Sequence, residues 1–315
     1  MRFTKFLLPT LALGMAGVLM TPDTASSWSL LGFNLSVFRR TARVFNNFSA
    51  PGPNNNTTPD SQFPGFVGAE LALWKGVIEW GSETHGDGSG DPSQAILGSG
   101  GVNFDAHFIG NATSEGIIGH QIMSQINGCN GGVFAFMQGD ANGWWIRFYQ
   151  CWNWADGPAA IAGNEADLQG IGCHEFGHAL GLGHSNVGNA TMFASASTGS
   201  ISERSIEADD QAGLTANYGA KSPSKPKIDS VSGFGGGTVT ITGSNFPQGN
   251  VEVWFAHANP TTSNAINSLK VITQPNGNVI QIPVPNGAGP GDVMIRDVLK
   301  VNGDGLSNAM PWDPN

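Results

Sequence analysis

The chain has 315 residues, only 12% of them charged, with a formal net charge of −10 and a pI near 5.0. No stretch of it forms the basic stripe that would attract phosphates, so the composition argues against nucleic acid as a partner. Beyond its first 25 residues the chain is long enough for two domains with separate hydrophobic cores.

Residues 1–25 have the pattern of a secretory signal peptide. Arg2 and Lys5 precede an apolar run over residues 6–20, and small residues follow near Ala25. A membrane span needs roughly 18 or more apolar residues, and this run is shorter and contains Pro9. We therefore predict a secreted, extracellular protein whose mature chain has no membrane span.

Four elements are predicted before the first cysteine. Alternating and β-branched residues over 36–48 predict a strand, which a loop rich in Asn, Pro and Thr follows. Apolar residues at helical spacing, Trp74 among them, predict an amphipathic helix over 67–82. Short strands are expected at 102–109 and 116–123.

Two of the three cysteines flank a predicted hairpin. Strand-like segments lie on either side of a turn-rich stretch around Asp140, and Cys129 and Cys151 are symmetric about that turn. In an oxidising compartment the hairpin would bring these two cysteines together as a disulfide. Cys173 is then unpaired, and we interpret it as a buried free thiol that packs as a small hydrophobe.

Residues 174–184 read His-Glu-Phe-Gly-His-Ala-Leu-Gly-Leu-Gly-His, at the end of a helix predicted over 165–182. His174 and His178 are four residues apart and share one face of that helix, so both can bind one metal. Gly181 can take a positive φ and turn the chain back, which makes His184 a third ligand. Three neutral imidazoles leave the fourth position of a catalytic zinc to water.

Glu175 follows the first of these histidines but points to another side of the helix. It can reach a zinc-bound water without being a ligand, which is the position of a general base. A bare His-Glu-x-x-His also occurs by accident on amphipathic helices, with both histidines hydrogen-bonded in a core. The additional Gly181 and His184 favour the zinc site.

This motif and its surroundings resemble the metzincin metallopeptidases. Their motif His-Glu-x-x-His-x-x-Gly-x-x-His precedes a methionine turn, and here Met192 lies eight residues after His184. Ala194 stands where astacins carry a ligating tyrosine, and residues 206–219 are similar to the closing helix of matrixins. The resemblance is therefore to matrixins, and it implies that Met192 is a hydrophobic floor beneath the zinc.

The resemblance also implies the fold of residues 26–219. It predicts an α+β domain with a mixed twisted sheet, a long backing helix and an active-site helix. Metzincins border their cleft with an antiparallel edge strand to which a peptide substrate adds by backbone hydrogen bonds. We assign that role to the strand of Trp144, Trp145, Ile146 and Arg147, with a plain structural hairpin as the alternative.

A second metal site is a weaker part of the resemblance. His85, Asp87 and His107 are similar to pieces of the loop that binds a structural zinc in vertebrate matrixins, but no middle histidine has a clear counterpart. We interpret residues 84–92 as a solvated loop and expect one catalytic zinc, with a second structural zinc or calcium as the alternative. No cysteine precedes Cys129, so we predict no cysteine switch.

After a Pro-containing and Ser-containing linker at 220–226, the pattern becomes all-β over residues 227–315. Short alternating segments predict an immunoglobulin-like sandwich. Gly-Gly-Thr-Val-Thr-Ile-Thr-Gly-Ser-Asn-Phe at 236–246 and Ile-Pro-Val-Pro at 282–285 resemble IPT/TIG domains, for which no ligand is indicated. The predicted strands are 227–232, 237–243, 251–255, 279–285 and 292–296.

These observations together predict a secreted zinc endopeptidase that acts on protein or peptide substrates. Two other classes remain open. The chain could be a surface-binding or adhesion protein in which the zinc domain is vestigial, although the intact ligands and Glu175 argue against this. It could also be a zinc hydrolase that acts on a non-peptide bond.

Overall fold

The computed structural model describes residues 26–49, 52–82, 102–233, 237–259 and 268–315. The predicted signal peptide and the loop residues His85 and Asp87 lie outside these ranges. No helix within the described ranges has both the length and the apolar character needed to cross a membrane.

The first domain is built on a five-stranded mixed sheet. Its strand order is β2-β1-β3-β5-β4, in which β4 alone is antiparallel to its neighbour. The predicted α+β fold with a mixed sheet is therefore confirmed. The strands are β1 Thr41–Phe45, β2 His107–Asn111, β3 Ile122–Ile126, β4 Ala135–Asp140 and β5 Gly143–Tyr149, and a two-stranded ribbon pairs β6 Trp154–Ala155 with β7 Ala166–Asp167.

The described part of this domain contains three α-helices: α1 Gly68–Glu79, α2 Leu168–Ala179 and α3 Ala208–Tyr218. α1 is buried at eleven of its twelve positions, because α2 and the sheet cover it from different sides. The two helices approach most closely at Gly76, where an added Cβ would lie 2.8 Å from the Gln169 carbonyl oxygen and 3.0 Å from the Cys173 amide nitrogen. Glycine at this position lets α1 support the helix that carries the histidines.

The three strands predicted before the hairpin are all shorter than expected. The segment 36–48 forms a 3-10 turn at Val37–Arg39 and only then β1, and the segment 102–109 overlaps β2 only from His107. The pattern over 116–123 predicts a strand, whereas β3 begins only at Ile122. The preceding residues form turns, since Gly116, Gly119 and Gln121 have φ values of 66°, 93° and 53°. Left-handed backbone conformations interrupt an extended strand. The apolar side chains in this loop favoured a strand prediction, but the backbone of these residues is not extended.

The predicted hairpin and disulfide are confirmed. β4 and β5 pair in antiparallel register from Ala135 opposite Phe148 to Asp140 opposite Gly143. Cys129 and Cys151, at the open end of this hairpin, form a disulfide with a Cα–Cα distance of 5.6 Å. Cys173 is free and buried, as expected for a thiol inside the hydrophobic core.

The C-terminal domain is all-β, as predicted, and has its own hydrophobic core. Two antiparallel sheets, of order β11-β10-β13-β14 and β12-β9-β8, form the immunoglobulin-like arrangement. The sequence reasoning missed β11 and β14; the latter has only three residues, one of them Pro311, and is defined by its pairing with β13. The strands are β8 Lys227–Ser232, β9 Thr238–Ser244, β10 Val251–His257, β11 Leu269–Thr273, β12 Val279–Pro283, β13 Ala288–Asp297 and β14 Met310–Trp312.

Substituting Gly76→Ala tests the close contact of α1 with α2. The new methyl group would press on backbone atoms of α2, which cannot rotate away, so we expect the free energy of unfolding to fall by about 1–3 kcal/mol. Urea denaturation followed by tryptophan fluorescence measures this change. Gly213→Ala in α3 is the matched control, because its Cβ would meet only side-chain atoms, at 3.3 Å or more. Equal stability of the two variants would contradict the close-contact interpretation.

Candidate metal centre and substrate cleft

The start of α2 is fixed by a buried ion pair. Asp167 is the N-cap, and its side chain accepts a hydrogen bond from the Gly170 amide at 2.8 Å. Arg204 donates to the same carboxylate through Nε at 2.8 Å and Nη2 at 2.6 Å. Because both side chains are almost fully buried, this bidentate pair holds the first turn of α2 in place. Sequence reasoning assigned no role to either residue.

The structure brings the three predicted zinc ligands together. His174 and His178 lie on one face of α2, and the chain then turns at Gly181, where φ is +87° and a Cβ would collide with the Phe33 carbonyl oxygen. The turn places His184 opposite the other two rings. One ring nitrogen from each histidine lies within 4.8 Å of the others, a spacing that can hold one metal ion.

Two of these imidazoles are oriented by backbone carbonyl groups. His174 Nδ1 lies 2.6 Å from the Thr191 oxygen, and His178 Nδ1 lies 2.8 Å from the Leu182 oxygen. A carbonyl oxygen only accepts, so each Nδ1 carries the proton and each Nε2 keeps a free lone pair. Burial lowers the pKa of His174 to about 3 and that of His178 to about 4, which keeps both rings neutral.

Glu175 lies beside the three histidines, at the position where the sequence predicts a general base. Its side chain is 7% exposed, and it accepts a hydrogen bond from the backbone N–H of Met137 in β4. Burial raises the pKa of Glu175 to about 8, and the Met137 hydrogen bond partly opposes that rise.

Met192 packs directly against α2. It is 2% exposed, and a Cβ at Gly177 would collide with its sulfur atom. Only glycine at position 177 allows this contact. The Met192 side chain belongs to the same hydrophobic core as Phe176 of α2. This position agrees with the structural role that the resemblance to matrixins implies for Met192.

Asp210 in α3 holds the turn that contains Met192. Its carboxylate accepts from the amides of Thr191 at 2.8 Å and Met192 at 3.0 Å. It also completes a capping box with Glu207 at the start of α3. Since the Thr191 carbonyl orients His174, Asp210 supports the metal site from beneath. The Glu207-x-x-Asp210 spacing could have identified this helix start in the sequence.

The predicted assignment of the substrate edge strand is wrong. β5, which contains Trp144, Trp145, Ile146 and Arg147, lies inside the sheet, paired with β3 on one side and β4 on the other. Its backbone groups are therefore used within the sheet. The edge strand beside α2 is β4; the assignment rested on the position of β5 shortly before α2 in the sequence, and position along the chain does not fix the order of strands in a sheet.

The four residues of β5 have structural roles. Trp144 is fully buried and packs edge-on against Phe176 of α2, with ring centroids 5.4 Å apart. Ile146 is in the core. On the other face of the sheet, the Arg147 guanidinium lies over the Trp145 ring at 4.1 Å and donates to the Glu115 carbonyl at 2.5 Å. These contacts fasten the loop before β3 onto the sheet.

β4 and α2 enclose a cleft of about 460 Å³ beside the three histidines. β4 and the segment before it form one wall, and the chain after Met192 forms the other. Its lining is mixed, with apolar side chains next to the histidines and Glu175. The lining residues are Gly132, Val133, Phe134, Ala135, Phe136, Met137, Ile171, His174, Glu175, His178, His184, Phe193, Ala194, Ser195 and Ala196.

His107 does not lie in a metal site. It is buried at the start of β2, far along the sheet from β4, and both ring nitrogens are hydrogen-bonded: Nδ1 to the Ser268 hydroxyl and Nε2 to the Asp292 carbonyl, each at 2.7 Å. Burial lowers its pKa to about 4. The alternative of a second metal through His107 is therefore wrong for this residue, because the C-terminal domain occupies both nitrogens.

Comparisons with known proteins identify two families. Residues 101–219 match the family described as Matrixin, and residues 226–309 match the IPT/TIG domain. Human matrix metalloproteinase-25 is 42% identical over 66 residues, 20% of this chain and 12% of the relative. Matrix metalloproteinase-27 of Tupaia belangeri is 37% identical over 95 residues, 30% of this chain and 18% of the relative. The chain thus spans less than a fifth of these relatives.

Substituting Asp210→Asn tests the support beneath the site. An amide would turn an N–H group toward backbone N–H donors, so we expect a loss of about 1–3 kcal/mol in stability and about 10-fold weaker zinc binding. Thermal unfolding and competition with a zinc indicator measure the two effects. Asp209→Asn is the control, because its partners are hydroxyls of Ser27 and Ser185, which can rotate to donate or accept. Similar losses in both variants would contradict the specific role of Asp210.

Proposed function

We propose that this chain, which joins a matrixin domain to an IPT/TIG domain, is a secreted zinc-dependent endopeptidase that cleaves extracellular proteins. The observation that carries the proposal is the convergence of three imidazoles within 4.8 Å beside the buried carboxylate of Glu175. The predicted signal peptide supports secretion, as does the Cys129–Cys151 disulfide, since disulfides persist in oxidising compartments.

The donor set fits zinc. Three imidazoles of His174, His178 and His184 would hold the ion, and no fourth protein ligand is among the residues grouped with them in the described chain. The Nδ1 hydrogen bonds of the first two are those expected of histidines that bind through Nε2. When bound, zinc supplies a Lewis acid that polarises the scissile carbonyl group and promotes ionisation of water.

Glu175 is proposed to move the proton. Without a metal the buried Glu175 has a pKa of about 8, and the positive charge of a bound zinc ion would favour its ionised form. As water attacks the carbonyl carbon of the scissile peptide, this carboxylate accepts a proton from it. When the C–N bond breaks, Glu175 returns the proton to the nitrogen of the leaving amine. Its position on α2, next to His174 in sequence but turned toward β4, lets it reach the reacting atoms from the side of the cleft.

β4 is proposed to bind the substrate backbone. The Tyr149 amide donates to the Phe134 carbonyl, so the backbone groups of Phe134 face β5. Because antiparallel pairing alternates, those of Ala135 and Met137 point outward, toward the cleft. The Met137 N–H already donates to Glu175, so the substrate would use the Ala135 groups and the Met137 carbonyl. A peptide that adds to this edge would be held through its main chain with little dependence on sequence.

Selectivity would come from the side-chain pocket beside the histidines. Ile171, Phe193 and Ala196 line it together with Val133. Among the lining residues in the described ranges, Glu175 alone carries a charge. An apolar substrate side chain next to the scissile bond is therefore the best match, because a charged one would lose its hydration without a partner.

Glu175→Gln tests the proposed reaction. The amide has nearly the same shape but cannot accept the proton, so we expect casein cleavage to fall by about 10²–10⁴-fold. Zinc content per chain, measured by atomic absorption, should be unchanged, which separates lost chemistry from lost metal. A chelator should abolish the wild-type activity. Equal cleavage by wild type and variant would refute the proposal.

The disulfide offers a test of the β4 assignment. Trp152 is next to Cys151; its ring centroid lies 4.3 Å from that of Phe134, and its Nε1 donates to the Val133 carbonyl at 2.7 Å. The disulfide therefore holds the residues that precede β4 in place. We expect the double variant Cys129→Ala, Cys151→Ala to raise KM several-fold with kcat unchanged. Cys173→Ala, which removes the free thiol, is the control and should leave KM unchanged. An unchanged KM in the double variant would argue against substrate binding along β4.

A further inference from the structure

The C-terminal domain covers the edge of the peptidase sheet opposite the cleft. β2 is that edge, and the Phe108 amide donates to Oδ2 of Asp292 in β13 at 2.8 Å. The other carboxylate oxygen of Asp292 accepts from Trp74 Nε1 in α1 at 3.1 Å. Asp292 is 1% exposed, so both of its oxygens are used inside the contact. One side chain of the second domain thus caps an edge strand and holds the backing helix of the first.

His107 makes a second polar contact across the same boundary. A carbonyl oxygen only accepts, so His107 Nε2 donates to the Asp292 carbonyl, and Nδ1 then accepts from the Ser268 hydroxyl. Both partners belong to the C-terminal domain. Without that domain, this buried ring and the Phe108 amide would lose their partners.

The hydrophobic core is continuous across the boundary. Trp74 stacks on Phe108 with ring centroids 4.9 Å apart, and the cluster that contains them extends into the C-terminal domain. The extension consists of Trp254, Met294, Leu306 and Ala309, each 2% exposed or less. This contact has the character of a domain interior, which is unusual for a spacer module joined by a flexible linker.

The segment between the domains is also fixed. Its composition predicts an open linker, but Lys225 is fully buried and pairs with Asp105 of the first domain at 2.8 Å. The Lys225 ammonium group also donates to the Gly303 carbonyl of the second domain at 3.1 Å. The Lys225 charge is therefore held between groups of both domains, so this segment joins their surfaces directly.

From these contacts we infer that the IPT/TIG domain is a structural part of the peptidase unit and that the two domains unfold together. It closes the free β2 edge and braces α1, which in turn packs against α2 and its histidines through Gly76. The face formed by β10 and β13 is thereby occupied by the chain itself. A separate binding partner would have to use another surface, such as the β12-β9-β8 sheet.

The test places a destabilising change in the core of the second domain, away from the boundary. Ile241 in β9 is fully buried within that separate core, so Ile241→Ala should lower its stability and shift the unfolding midpoint by about 5 °C or more. If the domains are coupled, calorimetry of the full chain shows a single transition that moves as a whole. Hydrogen exchange should also accelerate at the Phe108 amide and throughout α2.

The control is Ile272→Ala in β11, which removes the same atoms from a side chain that is 68% exposed and should change neither measurement. Two separate transitions, with exchange in α2 unchanged by Ile241→Ala, would overturn the inference. Neither measurement depends on proteolytic activity, so the outcome is independent of the proposed enzymatic function. Trp74→Phe provides the reciprocal test, because loss of its N–H donor should accelerate exchange in β9 and β12 of the second domain.

Discussion

The geometry of the candidate metal centre depends on the hydrogen bonds that the Asp210 carboxylate accepts. This carboxylate fixes two consecutive amides, those of Thr191 and Met192, and the carbonyl of Thr191 in turn orients His174. A single buried acid therefore links the start of α3, the turn that contains Met192, and His174. The arrangement explains why the final helix belongs to the catalytic unit although none of its residues lines the cleft.

Close packing brings these elements near enough for such hydrogen bonds to form. Gly76 admits α1 against α2, Gly177 admits the Met192 sulfur, and Gly181 turns the chain toward His184. At each position a side chain would meet atoms of a neighbouring element. α2 is thus confined on several sides, which preorganises the histidines proposed to bind zinc.

The same principle extends across the boundary between the domains. A sheet has two edges, and here they serve different purposes: β4 is open beside the cleft, whereas β2 is capped by Asp292. An unpaired strand edge is a site for unwanted association, and the second domain removes that site at β2. The open β4 edge is the one proposed to bind substrate. The matrix metalloproteinases that resemble this chain match 20% and 30% of its residues.

The sequence by itself predicted the three histidines that converge, the disulfide and both domain types, because helical periodicity, hairpin symmetry and short motifs are local properties. It did not reveal that β4 rather than β5 is the edge, since strand order depends on which neighbours pair in space. Nor did it reveal the roles of Asp210 and Asp292, whose partners lie far away along the chain. Only the tertiary structure decided these, because a buried carboxylate takes its function from the donors that the fold brings to it.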